Sequence, residues 1–207
     1  MDGTLTQTNQ LIYDSFNYVA EKYLHKTLTN TEIHNLFGPP EKECVENMIG
    51  AKHLDDAMDD YYNFYAAHHN KLAAVYPGTN EVLEYLKSKG IIIGLFTGKG
   101  RRTTDITLEQ FGITSYFDIT VTGDDVDEFK PSGNGIRKIM EKFSLAPSEV
   151  LMVGDAVADF KASRETGVDI ASVLWDSYGK DDVLKLSPDF LFHDVQKFFE
   201  WLKQIYS

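Results

Sequence analysis

Ile91-Ile92-Ile93-Gly94-Leu95-Phe96, followed at once by Thr97-Gly98-Lys99, is the stretch from which the fold can be read. Six residues without a charge are of strand length, and an unbroken apolar run, as opposed to an alternating one, suits a strand buried on both faces of a parallel sheet. Working outward, a helical segment over 80–89 stops at Gly90 just before this run, and helical spacing resumes over 103–111 just after it. Further apolar runs stand at 116–121, 150–153, 170–174 and 190–192, with helical stretches at 135–143 and 158–166 between them. Strand and helix therefore alternate, which predicts a doubly wound, parallel-sheet α/β core.

Upstream the pattern differs. From Tyr13 to about Asn70 apolar and aromatic residues recur every three or four positions, as in Tyr13, Phe16, Val19, Ala20, Tyr23 and Leu24, which is helical spacing. Phe37-Gly38-Pro39-Pro40 interrupts it, because two prolines cannot continue a helix. Two helical arms flanking a short loop are expected, with the aromatic stretch Tyr61-Tyr62-Asn63-Phe64-Tyr65 as part of their core. The domain expectation is thus a core of residues 1–10 and 76–207 carrying an inserted all-helical unit of residues 11–75.

Composition narrows the function classes. The chain has 207 residues, 43% hydrophobic and 25% charged, as ordinary globular proteins do. A formal charge of −12 repels a phosphate backbone, and there is no dense Lys/Arg run, so nucleic acid is not an expected partner. The single cysteine, Cys44, allows neither an intramolecular disulfide nor a multi-cysteine metal site and fits a reducing, cytoplasmic setting. No apolar run approaches the roughly 20 residues of a membrane span. The six histidines show no zinc-ligand spacing.

Ligands of open parallel sheets bind beyond the carboxyl ends of the strands, so the residues after each apolar run carry the functional reading. These are Thr97-Gly98-Lys99, then Gly123-Asp124-Asp125 with Lys130-Pro131, then Gly154-Asp155 with Asp159; Met1-Asp2-Gly3-Thr4-Leu5 opens the chain. Singly each is weak, since a strand-end Thr often caps a helix, Lys-Pro is often a surface turn, and Gly-Asp is common in turns. In order, D-G-T-L, a strand ending in T, K-P, and V-G-D-x-x-x-D resemble the four motifs of the haloacid dehalogenase-like superfamily. The resemblance spans nearly the whole chain. It is strongest to the phosphoglycolate-phosphatase-like branch with a helical cap between the first two motifs, where Tyr76-Pro77-Gly78 matches the return from the cap. A Rossmann-like core is then implied.

The resemblance implies a magnesium-dependent phosphatase acting on a small phosphate ester, phosphoglycolate-like or a sugar phosphate, through an aspartyl-phosphate. Asp2 matches the general acid/base, with its backbone carbonyl on magnesium. Thr97 and Lys130 would hold phosphoryl oxygens, and Thr97 could also cap the helix whose amides point at the same anion. Gly98 and Lys99 are candidates for substrate contact, although a solvated lysine at a helix start is an equal reading of Lys99. Asp155 would ligate magnesium, a hard cation suited to carboxylates. Asp159 could reach the metal's water shell, hold Lys130, or begin a helix. Asp124 and Asp125 could join the metal's outer shell or form an ordinary acidic loop. Gly38-Pro39-Pro40 is implied to close over the site. Lys130-Pro131-Ser132-Gly133 departs from the common K-P-x-P, which should loosen that loop.

In the resembling sequences one residue separates the nucleophilic Asp from D-G-T, so that Asp would here be the residue before Met1. It ends a central strand, between the strands ending at Thr97 and Asp155. The natural product is therefore expected to extend upstream, and a chain starting at Met1 is expected to show little turnover and to leave two strand edges unpaired. A phosphomutase, a phosphonatase, or a non-catalytic phosphate-binding or interaction protein stays open, as do monomer and homodimer.

Overall fold

In the computed structural model, which describes residues 1–177 and 179–206, strand β1 (Thr6–Gln7) leads into helices α1 (Asn9–Leu24), α2 (Asn30–His34), α3 (Glu41–Ile49) and α4 (Leu54–Leu72), and the chain returns in β2 (Ala74–Val75). β1 and β2 pair antiparallel, Thr6 opposite Val75 and Gln7 opposite Ala74. The helical unit therefore leaves and re-enters through a neck of two residue pairs. Strands this short carry no alternation, so the sequence reading had no sign of them.

The helices enclose their own core. Leu11, Phe16, Val19 and Val45 are fully buried there with Tyr61 and Tyr65, each aliphatic or phenyl side chain contributing roughly 1.5–3 kcal/mol over an exposed position. Phe16 meets Tyr61 edge-on at 5.1 Å. Of the aromatic stretch expected as core, Tyr61 and Tyr65 belong to it, while Phe64 lies nearer the surface and stacks on Tyr18 at 4.8 Å. Four-residue spacing along α4 stacks Tyr61 and Tyr65 on one face, while Phe64, adjacent to Tyr65 in sequence, is turned about 100° from it. A capping box between Thr29 and Glu32 starts α2, and Pro40 ends the Gly38 turn and starts α3.

The remaining chain alternates as expected: α5 (Thr79–Ser88), β3 (Gly94–Phe96), α6 (Arg101–Gln110), β4 (Ile119–Val121), α7 (Asn134–Phe143), β5 (Leu151–Gly154), α8 (Val157–Thr166), β6 (Asp169–Val173), α9 (Lys180–Leu184), β7 (Phe190–Phe192) and α10 (Val195–Ile205). β3 and β4 are parallel, as are β5, β6 and β7 in that order. Of the apolar run 91–96 only the second half is strand. The Ile91 N–H turns back to Leu86 of α5, the Ile93 N–H bonds the Asp118 carboxylate, and pairing begins at Gly94 opposite Ile119. Likewise 114–116 form a 3-10 turn and only 119–121 pair.

Among the described residues no ladder joins β3 to β5. Between them lies an apolar cavity of about 470 Å³, lined by Leu95, Phe96, Leu151, Met152 and Val153 among others, with Met1 and Leu5 at its wall. Among the described residues β3 pairs only with β4, and β5 only with β6.

Candidate active site

The residues after β3 and β5 meet the first turn of the chain. Thr97 extends the β3 ladder, its N–H donating to the Val121 carbonyl at 3.0 Å, and its side chain is buried. Gly154 ends β5 and delivers Asp155. The Asp2-Gly3-Thr4 turn lies directly on that carboxylate: Thr4 Oγ1 donates to Asp155 Oδ1 at 2.7 Å. Gly3 has φ +75°, and a Cβ there would collide with the Asp155 carboxylate. Both facts require glycine, one for the left-handed backbone and one for the close approach.

Lys130 is held from two sides. Its Nζ donates to Asp159 Oδ1 at 2.7 Å and to the Phe96 carbonyl at 3.2 Å, one residue before Thr97, and it sits over the Phe96 ring at 4.7 Å. Asp159 Oδ2 accepts the Ala156 N–H at 3.1 Å. Asp159 thus starts α8 and restrains Lys130 with the same carboxylate. The turn around Asp2, the end of β3, Lys130, Asp155 and Asp159 form one connected group, although they come from both ends of the chain.

Lys99 is the main departure from expectation. It is neither solvated nor directed outward. Only 8% exposed, its Nζ stands 3.5 Å from Asp2 Oδ2 and 3.6 Å from Glu41 Oε1, and 4.7 Å from the centre of the Tyr65 ring. Glu41, buried at the start of α3, accepts the Gly100 N–H at 2.6 Å and the Thr103 hydroxyl at 2.6 Å. The Arg101 N–H goes to Asp124 at 2.7 Å, and the Lys99 N–H to Thr97 Oγ1 at 3.3 Å. The amides at the start of α6, expected to point at a ligand anion, are therefore engaged within the protein. Asp125 accepts both the N–H and hydroxyl of Thr122 at 2.7 Å and pairs with Arg101. The acidic pair closes its own loops. Nothing in the sequence marks Glu41, an ordinary glutamate in the first turn of a helix; only the approach of the start of α3 to the start of α6 gives it these partners.

Burial and charge set the protonation of the carboxyls. Burial alone would push Asp2 up, but the Lys99 ammonium and the Thr8 hydroxyl bonded to Asp2 Oδ1 outweigh it and hold the carboxyl below its ordinary value. Asp159 is likewise raised by burial and held down, net, by Lys130. Asp155 is pushed up to about 6, by burial first and by the Asp159 carboxylate second. A buried carboxylate disfavoured in its charged form is what a divalent cation would relieve. Among the described residues no group of three or more His, Cys, Asp or Glu side chains is placed to hold a metal. Magnesium, which keeps several waters and binds through one or two carboxylates, does not need such a group, so Asp155 beside the Asp2 turn fits it.

Comparison with known proteins agrees with this geometry. The pattern of the haloacid dehalogenase-like hydrolases matches residues 1–173. A protein of Anoxybacillus flavithermus named pyrophosphatase PpaX is 32% identical over 191 residues, covering 92% of this chain and 88% of the relative. Among solved structures, a predicted phosphoglycolate phosphatase from Haemophilus somnus superposes with a TM-score of 0.81 at 20% identity, covering 98% of this chain and 95% of that one. CbbY from Rhodobacter sphaeroides in complex with phosphate gives 0.81 at 19% identity, covering 94% and 92%. With its ordered strand-end residues gathered at one place and the family pattern running through most of its length, the chain belongs to the haloacid dehalogenase-like hydrolase family.

Proposed function

We propose that the protein is a magnesium-dependent phosphohydrolase of small phosphorylated compounds, working through an aspartyl-phosphate, in which residues 11–75 are a cap over a core of residues 1–10 and 76–207. The observation that carries this reading is Lys130, locked between Asp159 and the Phe96 carbonyl beside the carboxylate of Asp155. Such a cation suits the phosphoryl oxygens, and Thr97 and Gly98, which directly follow β3, are assigned the hydrogen bonds to the same group. When bound, magnesium would neutralise charge on the phosphoryl group, held by the Asp155 carboxylate and the Asp2 carbonyl. Asp159 acts on the site through Lys130. Asp2 is the proton carrier: in its neutral form it protonates the leaving oxygen, and the carboxylate so formed, paired with Lys99, takes a proton from the hydrolytic water and returns to the neutral form. Lys99 contributes by pairing with Asp2 and not by touching substrate in this closed arrangement.

Pyrophosphate is the first substrate to test, because the relatives at 32% identity carry that activity in their name; phosphoglycolate and sugar phosphates follow. The assay measures phosphate release by the protein as its gene encodes it, with and without magnesium. Phosphate release that requires magnesium and stops with EDTA is the expected result. Absence of release from every phosphate ester and anhydride by that protein would overturn the reading. A cytoplasmic setting and a monomer or homodimer accompany the proposal.

A further inference from the structure

Glu41 is a carboxylate from the helical unit buried in the α/β core's side of the seam. It satisfies the Gly100 N–H and the Thr103 hydroxyl, both at 2.6 Å, and lies 3.6 Å from the Lys99 ammonium, which in turn reaches Asp2 at 3.5 Å. Pro40, the preceding residue, is packed so tightly on Gly123 that a Cβ there would stand 2.6 Å from the proline ring. One short segment of the helical unit thus touches the loops after both β3 and β4.

The rest of the seam is polar as well. Tyr65 Oη and Thr107 Oγ1 are 2.9 Å apart, His69 Nε2 lies 3.2 Å from the same Thr107, and Asn70 donates to Gln110 at 2.9 Å. Tyr61 Oη and Thr104 Oγ1 are buried with no hydrogen-bond partner among the described residues. Groups of this kind regain hydration when a seam opens, whereas an apolar seam would lose its whole driving force. The helical unit has a separate hydrophobic core and is joined through a neck of two paired residues on each strand. Such a body can swing without unfolding.

We propose that Glu41 is the latch of this joint: a positioning residue that holds the cap closed by docking on Lys99 and the start of α6, so that the closed cap and the Lys99–Asp2 pair form together. The inference rests on reading residues 11–75 as a cap. Chemistry at Asp2 would then proceed with Lys99 clamped between two carboxylates, and release of Glu41 would free the cap for exchange of substrate and product.

The test measures cap position directly. Spin labels at Glu46 in α3 and Glu128 beyond β4, in a Cys44→Ala background, should give one short-distance population. Glu41→Ala should add a longer-distance population, and Glu41→Gln, which can still accept the Gly100 N–H but cannot pair with Lys99, should fall between. Amide exchange in α1 and α4 should stay as slow as in the parent protein. With pyrophosphate as substrate, KM of Glu41→Ala should rise about tenfold for a closed fraction reduced to about a tenth, and that of Glu41→Gln should rise less. An unchanged distance distribution would overturn the latch, and so would loss of exchange protection in α1 and α4, which would make Glu41 a folding residue of the cap. The distance measurement needs no turnover, so an inactive enzyme would count against the phosphatase reading and leave the latch standing.

Discussion

Replacing Asp159 by asparagine removes the charge opposing Lys130 while nearly preserving shape. Lys130 and Asp159 have side chains only 13% and 7% exposed, with 2.7 Å between Nζ and Oδ1, so this is a buried pair. Breaking such a pair from one side costs about 3–5 kcal/mol, because a buried charge is left without its partner. Two features place the expected loss at the lower end. The asparagine Oδ1 can still accept the Ala156 N–H and keep the start of α8, and Asp155 remains close enough for Lys130 to lower its proton affinity. A loss of about 3 kcal/mol corresponds to a Tm lower by roughly 6–12 °C for a chain of this size. Asp159→Ala, which also forfeits the helix start, should lose about 1 kcal/mol more. Urea and thermal unfolding of both variants, together with Lys130→Met and the double variant Lys130→Met/Asp159→Asn, give the coupling directly. The double variant should be more stable than Asp159→Asn alone, since no lone ammonium remains buried. If Asp159→Asn lies within about 1 kcal/mol of the parent, the pair is behaving like a surface ion pair and the reasoning fails.

Gly3→Ala should destabilise by at least about 1–2 kcal/mol, from the left-handed φ alone, and should also push Asp155 off Thr4; an unaltered melting temperature would contradict the packing of the first turn on β5. Asp189 is held below its ordinary value, first by its hydrogen bonds with Arg164 and then by the Ile170 N–H. Its contribution is therefore present above the unfolded-state value and lost as pH falls through the lower folded value. Asp189→Asn should weaken the chain at pH 7 and shrink the difference between urea midpoints at pH 7 and pH 3, and an equal shift at both pH values would refute this. Cys44 is buried, and its thiol is pushed up to about 12 by burial first and by Glu41 and Glu43 after it. The native chain should resist iodoacetamide at pH 8 while the urea-unfolded chain reacts; equal labelling rates would show that the α3 face is open.

The alternation of apolar runs with helical periods predicts the α/β class because a buried parallel strand and an amphipathic helix place different demands on neighbouring residues. All five expected strand runs contain an observed strand. Their extents are less legible. Ile91, Ile92 and Ile93 are as apolar as Leu95 and Phe96, yet Ile92 is 41% exposed and the ladder starts only where β4 lies alongside. Hydrophobicity records that a residue can be buried, while strand length depends on a partner that comes from elsewhere in the chain. The β1–β2 neck was invisible for the same reason, since each strand consists of two residues whose pairing joins positions on either side of the helical unit.

At the site, the local chemistry of Thr97, Lys130, Asp155 and Asp159 is written in the sequence, because motif order and strand ends mark which residues can share one place. Asp159 had three readings there, and packing brought it to Lys130 while letting it start α8 as well. Lys99 looked as much like a surface lysine as a ligand contact. Its burial between Asp2 and Glu41 arises from three segments meeting, the first turn of the chain, the start of α3 and the loop after β3. The sequence by itself determined which side chains were available and in what order they leave the strands. Which charges face one another was decided only by the tertiary structure, because ion pairing and desolvation depend on distances of a few ångströms between residues that are far apart along the chain.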